Sequence, residues 1–252
     1  MVTAYDEPSA RLVDEAGVDI ILVGDSVANV VLGHSDTLHV SVEEIAHHVR
    51  AVAAAKPRAH IVGDLPWMSY HVDRAETVRN AATMVRAGAQ SVKLEGGHNR
   101  IDAVRAIIDA EIPVMGHLGL TPQSVLAMGG FKVQGKTRAA AKMLVEDAVA
   151  LEAAGVFAIV IEGVPPEVGQ WVTDALEVPT IGIGAGPSTD GQVLVFHDML
   201  GLSARTPPKF VRVYADMGPQ ITEAIARYAD DVRSGAFPGP AEVYETPSEL
   251  RD

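Results

Sequence analysis

Lys93 and Glu95 stand two positions apart in "SVKLEGG" (Ser91–Gly97), which starts like a buried strand and ends in a glycine pair. On a strand, residues i and i+2 point to the same side, so an ammonium and a carboxylate share one face of an apolar segment. Four further apolar runs carry ionisable residues at or near their C-terminal ends: Asp25, Asp64, His117 and Glu162. Asp25, Asp64 and Glu95 are hard oxygen donors. With no cysteine in the chain, that set suits Mg²⁺, which keeps several waters and takes only one or two carboxylates directly. A 2-oxo acid could chelate such an ion through its carboxylate and keto oxygens, and the ion would stabilise an enolate as a Lewis acid. Lys93 would add positive charge near the substrate carboxylate or the developing enolate oxygen. Glu162 would be the base that removes the proton beside the carbonyl.

Each residue also has a plainer reading. Asp25 with Ser26, and Asp64 before Pro66, could cap helices. His117 could be a satisfied core histidine and Glu162 a solvated loop end. Lys93 and Glu95 could be a buried ion pair that only fills space, although desolvation makes such pairs weak stabilisers. Five runs ending alike favour a shared site over five separate accidents.

The elements that must position these residues are short runs rich in Val and Ile. They are Met1–Asp6, Ile20–Ser26, Ile61–Pro66, Ser91–Gly97, Val114–Gly119, Ile159–Pro165 and Thr180–Gly186, with an eighth at Val193–Asp198. Continuous apolar runs suit parallel strands covered on both faces. Helical patterns lie between them at Val42–Ala55, Ala75–Gly88, Ile101–Ala110 and Lys142–Gly155, the last with no Ser or Thr at its entry. Gly88 and Gly155 are stop signals, and Ser41 with Glu44 reads as a capping box. The alternation predicts a single-domain (β/α)8 TIM barrel over residues 1–233, a parallel eight-stranded barrel with outer helices. In such a barrel every strand's C-terminal end points to one face, where these folds place their chemistry. The tail, 234–252, is rich in Pro, Gly and acids and is expected to be poorly ordered. The Gly-rich basic segment Met128–Arg138 reads as a lid or as a plain surface loop.

A formal net charge of −13 argues against nucleic acid and an anionic membrane surface as partners. No apolar run of about 18 residues and no basic-then-apolar leader is visible, so a cytoplasmic protein is expected. The absence of cysteine excludes disulfides, thiolate metal sites and cysteine nucleophiles. "GIGAG" (182–186) follows a strand and could approach a phosphate backbone-first, but it lacks the spacing of a dinucleotide loop and reads rather as a tight turn that lets substrate or another loop approach. His47 and His48 read as surface or packing residues.

"TAYD", "LVGDS", "DLP", "VKLEGG", "GHLGLTPQS", "ALEAAG" and "GIGAG" follow in this order. Between Thr3 and about Lys209, the chain resembles the ketopantoate hydroxymethyltransferase family of pantothenate biosynthesis. The resemblance implies a Mg²⁺-dependent (β/α)8 barrel acting on small molecules. Its reaction would transfer a hydroxymethyl group from 5,10-methylenetetrahydrofolate to 3-methyl-2-oxobutanoate through a Mg-stabilised enolate, giving 2-dehydropantoate. It implies a metal site at Asp25, Asp64 and Glu95, and oxo-acid contacts from Asp25, Ser26, Asp64 and Lys93. It makes Glu162 the proton acceptor and puts His117 in the pocket without a fixed role. It further implies a homo-oligomer, a decamer. Folate enters only through this resemblance. Members usually carry a segment ahead of "TAYD", and "VANVVLGH" (27–34) is more apolar than the usual stretch. The competing expectations are a Mg-dependent carbon–carbon lyase or mutase of the phosphoenolpyruvate mutase/isocitrate lyase type, and a non-catalytic oligomeric barrel that binds a metal or metabolite. The absence of cysteine counts against the lyase, because those enzymes commonly place one in a signature loop.

Overall fold

The computed structural model describes residues 1–203 and 206–247. Eight parallel strands follow one another around a sheet in sequence order. They are β1 (Val2–Thr3), β2 (Ile20–Val23), β3 (His60–Asp64), β4 (Ser91–Lys93), β5 (Val114–Gly119), β6 (Ala158–Glu162), β7 (Thr180–Ile183) and β8 (Gly191–Gln192). A parallel bridge between Val2 and Leu194 closes the ring, with Thr3 N–H donating to Leu194 C=O at 3.2 Å. The fold is the expected (β/α)8 TIM barrel.

The helices that cover it are α1 (Glu7–Glu15), α2 (Val27–Val30), α3 (Val42–Ala54), α4 (Arg74–Ala87), α5 (Ile101–Asp109), α6 (Val125–Met128), α7 (Arg138–Ala154) and α8 (Pro166–Asp174), followed by α9 (Phe196–Met199) and α10 (Met217–Ser234). Their starts follow local chemistry. Asp6 caps α1 and Ser41 caps α3, each in a reciprocal capping box, and the Asp73 side chain accepts from Glu76 N–H at α4. Gly88 and Gly155 end α4 and α7 as expected. Two expectations are corrected. α7 starts at Arg138 rather than Lys142, and Thr137 caps it through the Ala140 N–H. The eighth strand is Gly191–Gln192; only the start of Val193–Asp198 continues the pairing, and Phe196 already begins α9.

Strand parity divides the core in two. Ile21, Val23, Ile61, Val92, Leu94, Val114, Leu118, Ile159 and Ile161 face the helices in one large cluster. Leu22, Val62, Met115, Ala158, Val160, Ile181 and Val193 form a second cluster inside the barrel. Side chains alternate along a strand, so Asp64, Lys93, His117 and Glu162 share the inward parity of Val62, Ser91, Met115 and Val160. They stand as the next layer above the apolar plug, at the strands' C-terminal face.

The chain forms two compact units, Met1–Phe196 with Pro207–Val211, and His197–Thr206 with Arg212–Asp252. The barrel belongs to the first. The second contains α10, none of whose residues is buried, and a short 3-10 turn at Pro240–Glu242. The expected 1–233 domain therefore spans the barrel and most of the second unit. The expected tail begins at the last residue of α10, and its final residues, 248–252, lie outside the described residues.

Candidate functional site

The polar layer is a chain of charges. Lys93 Nζ lies 2.8 Å from Asp64 Oδ1 and 3.9 Å from Glu95 Oε1. His117 Nδ1 lies 3.2 Å from Glu95 Oε1, and His117 Nε2 lies 3.2 Å from Glu162 Oε2. Asp25 joins through its backbone, whose N–H donates to Asp64 Oδ2 at 3.1 Å. Strand register explains the pairing: Asp64 sits beside Lys93 across β3 and β4. Beyond β4 the pairing continues, as Leu94 N–H donates to Met115 C=O and Gly96 N–H to His117 C=O. That extension carries Glu95 to His117 on the same inward face as Lys93.

Asp25, Asp64, Lys93, Glu95 and His117 are all buried, while Glu162 and Ser26 are partly exposed. The plainer readings of several residues do not match this geometry. Ser26 stands at the start of α2 without capping it; its hydroxyl instead pairs with Tyr5 Oη at 2.8 Å. The Asp64 oxygens are engaged by Asp25 and Lys93, so Asp64 is no helix cap. His117, buried with a carboxylate at each ring nitrogen, does match the plainer reading of a satisfied core histidine.

Sequence reading missed the residue that ties this group together, Gln123. Its backbone N–H donates to Glu95 Oε2 at 3.0 Å, and its side-chain amide donates to Asp25 Oδ2 and to Leu65 C=O, each at 3.0 Å. Its carbonyl accepts from Tyr70 Oη at 2.6 Å. Tyr70 Oη also accepts from the Glu95 N–H at 3.2 Å. Gln123 and Tyr70 come from turns after β5 and β3, where no periodicity marks an inward residue. The only trace of Gln123 in the sequence was its place in "GHLGLTPQS".

The electrostatics are those of buried acids beside buried cations. Burial, then the Asp64 and Glu95 carboxylates, pushes the Asp25 carboxyl well above the usual range. Burial also raises Asp64, against the pull of Lys93. Burial would raise Glu95 too, but His117, Lys93 and the Gln123 N–H outweigh it and hold it low. Burial would lower Lys93, yet Asp64, Glu95 and Asp25 outweigh it and hold the amine protonated. Burial and Lys93 would both lower His117; Glu95 and Glu162 overcome them and raise it to about 9. Lys93 is therefore a fixed cation rather than a nucleophile, and His117 is an imidazolium at neutral pH.

Asp64 Oδ1, Glu95 Oε1 and His117 Nε2 are buried without a well-formed hydrogen bond, although charged groups stand nearby. Buried ion pairs still cost desolvation that their attraction offsets only in part, so stability is a weak account of the layer. Among the described residues, no three His, Asp or Glu side chains form a ready-made metal cage. The remaining motifs are structural. His48 Nδ1 pairs with Tyr5 C=O at 2.7 Å while His47 is exposed. "GIGAG" is approached by Thr189, Phe210 and Pro166, as a tight turn meeting other segments should be.

The family model described as ketopantoate hydroxymethyltransferase matches residues 1–240. The chain belongs to this family. It is 56% identical over 251 residues to the 3-methyl-2-oxobutanoate hydroxymethyltransferase of Methylobacterium sp. (strain 4-46), covering 100% of this chain and 87% of that protein. It is 58% identical over 239 residues to the protein of the same name from Ignicoccus hospitalis, covering 95% of this chain and 90% of that one. A ketopantoate hydroxymethyltransferase is an enzyme of the transferase class, so the reading as a non-catalytic barrel falls away. Among solved structures, phosphonopyruvate hydrolase is similar at TM-score 0.60 and 15% identity, covering 99% of this chain and 87% of that one. A 2,3-dimethylmalate lyase of the PEP mutase/isocitrate lyase superfamily is similar at TM-score 0.59 and 16% identity, covering 99% and 86%. At that identity the likeness is one of fold alone. No helix among the described residues is long and apolar enough to cross a membrane.

Proposed function

We propose that this chain transfers a hydroxymethyl group from 5,10-methylenetetrahydrofolate to 3-methyl-2-oxobutanoate, giving 2-dehydropantoate. The observation that carries the reading is the continuous line Asp64–Lys93–Glu95–His117–Glu162 across β3, β4, β5 and β6 at the barrel mouth. Such a line places a partly exposed carboxylate, Glu162, at one end and a buried ammonium, Lys93, beside Asp64 at the other.

Glu162 acts as the base. Its carboxylate takes the proton from the branched carbon beside the keto group, and the enolate carbon bonds to the donor's one-carbon unit; both C–N bonds to that unit break, a water supplies the hydroxyl oxygen, and tetrahydrofolate leaves with the two protons. His117, protonated and between Glu95 and Glu162, fixes where the Glu162 carboxylate points. Lys93 remains charged throughout and faces the developing negative charge on the oxo acid, which is where electrostatic stabilisation counts. Ser26, Asp25 and Asp64 contact the oxo acid beside it.

The residues fit a divalent ion. Asp25, Asp64 and Glu95 offer only oxygen donors, and burial, then the Asp64 and Glu95 carboxylates, raises the Asp25 carboxyl, an environment that a further cation would relieve. Mg²⁺ held there would draw electron density from the keto group and make the adjacent C–H more acidic. The protein is read as cytoplasmic, and a homo-oligomer, a decamer, is its expected assembly.

The test is exchange of the branched-carbon proton in D₂O with oxo acid and Mg²⁺ but no folate. The wild type should exchange it, and Glu162→Gln should be slower by about 10²–10⁴-fold. Wild-type rates of exchange in Glu162→Gln would remove Glu162 from the base role. Cleavage of an oxo acid without any folate would instead favour the lyase reading.

A further inference from the structure

A second polar group stands where the turns after β3 and β4 meet, and the reaction above leaves it idle. The Arg100 guanidinium lies over the Tyr70 ring, 5.7 Å from its centroid. Its shaft crosses Gly96, where a Cβ would come within 2.6 Å of Arg100 Cγ. Gly96 directly follows Glu95, and Tyr70 Oη pairs with the Glu95 backbone. Arg100 is thus tied to the rim of the pocket from two sides.

Its donors are little used among the described residues. Nε is buried without a hydrogen bond, Nη1 has only the neighbouring Asn99 C=O at 3.4 Å, and the side chain makes no ion pair among the described residues. Beside it, His71 Nδ1 is also buried and unpartnered. Burial, then the Arg100 charge, pulls the His71 pKa down to about 4, so the ring is neutral and ready to share a hydrogen bond. Arg100 could serve merely as a countercharge for Glu95. Glu95 already has His117, Lys93 and the Gln123 N–H for that. What the group lacks is an acceptor.

We propose that Arg100, with His71 and the face of Tyr70, is a subsite at the pocket rim that binds a carboxylate of one of the two substrates. The planar guanidinium matches a carboxylate with two parallel hydrogen bonds, and stacking on Tyr70 holds it ready before the ligand arrives. The assignment rests on the reaction proposed above. There the oxo-acid carboxylate meets Lys93 inside the pocket, so the rim suits the carboxylates of the glutamyl tail of the one-carbon donor.

Equilibrium binding to the purified, Mg²⁺-loaded enzyme tests this with tetrahydrofolate and with tetrahydropteroate, which lacks the glutamyl carboxylates. The wild type should bind tetrahydrofolate about ten- to a hundredfold more tightly. Arg100→Met should lose that preference, and Arg100→Lys should keep part of it. Michaelis constants from the folate-free exchange assay separate the sources. If Arg100→Met weakens the oxo acid there while keeping the wild type's ratio between the two pterins, the subsite holds the oxo-acid carboxylate instead. If folded Arg100→Met and Arg100→Lys both bind all three ligands within twofold of wild type, the subsite does not exist. A wild type that neither exchanges nor turns over would sink the reaction itself, a result distinct from any change confined to the variants.

Discussion

His117 holds its proton only because carboxylates flank both ring nitrogens, and that makes it a pH-dependent strut. Its folded pKa, raised to about 9, exceeds an unfolded value of about 6.5. The stabilisation is therefore complete below about pH 6.5 and is lost as pH rises through about 9. Urea melts of the metal-free protein should show a fall of order 1–3 kcal/mol between those limits. His117→Gln should flatten that slope; an unchanged slope would mean another group titrates. Gln123 is the other residue on which the geometry depends. Gln123→Ala would strip the side-chain amide from Asp25 Oδ2 and the acceptor from the Tyr70 hydroxyl, a loss of about 1–3 kcal/mol. Lys93 and Glu95 were legible because a strand's period is two residues. Gln123 and Tyr70 were not, because their bond spans 53 positions between two turns, and no local pattern encodes such a meeting.

At the level of elements, β5 and β6 meet where the proposed base, Glu162, is mounted. Gly119, the last residue of β5, has φ +90, and a Cβ there would stand 2.2 Å from the Glu162 carbonyl oxygen. The next residue, Leu120, donates to that carbonyl at 2.7 Å. Gly119→Ala must therefore strain its own backbone or push the end of β6 aside. The expected result is a stability loss of about 1–3 kcal/mol together with exchange slowed by more than about tenfold, since small misplacements of a catalytic group are costly. Urea melts and the D₂O assay read the two effects separately, and normal exchange in a destabilised variant would show that β6 does not move. The strands with long β-branched runs were legible for the reason that both their faces are buried. β8 was displaced because Gly191–Gln192 has no apolar signal; its place is set by neighbours β7 and Leu194 rather than by its own residues. The start of α7 was hidden because its first turn, Arg138–Ala141, carries no strong apolar stripe.

For the whole molecule, closing the barrel gathers three acids from separate βα units into one buried layer beside Lys93 and His117, the layer proposed to take a divalent ion. Mg²⁺ at about a hundred times its dissociation constant should raise the melting temperature by about 5–10 °C. Asp25→Asn should lose most of that increment. Equal melting temperatures in EDTA and in Mg²⁺ would count against a metal at these acids. The formal charge of −13 adds general repulsion, but only the local layer should respond to a stoichiometric ion.

The amino-acid order alone determined the alternation of strand and helix, the barrel it implies, and the set of charged residues that end the strands, because each is written in local periods of two and of 3.6 residues. Which charges touch was decided only by ring closure and strand register, which set Asp64 beside Lys93 and carry Glu95 to His117. The partners supplied by turns, Gln123 to the acids and Arg100 to the Tyr70 face, follow from three-dimensional packing. A turn has no repeat from which its neighbours can be counted.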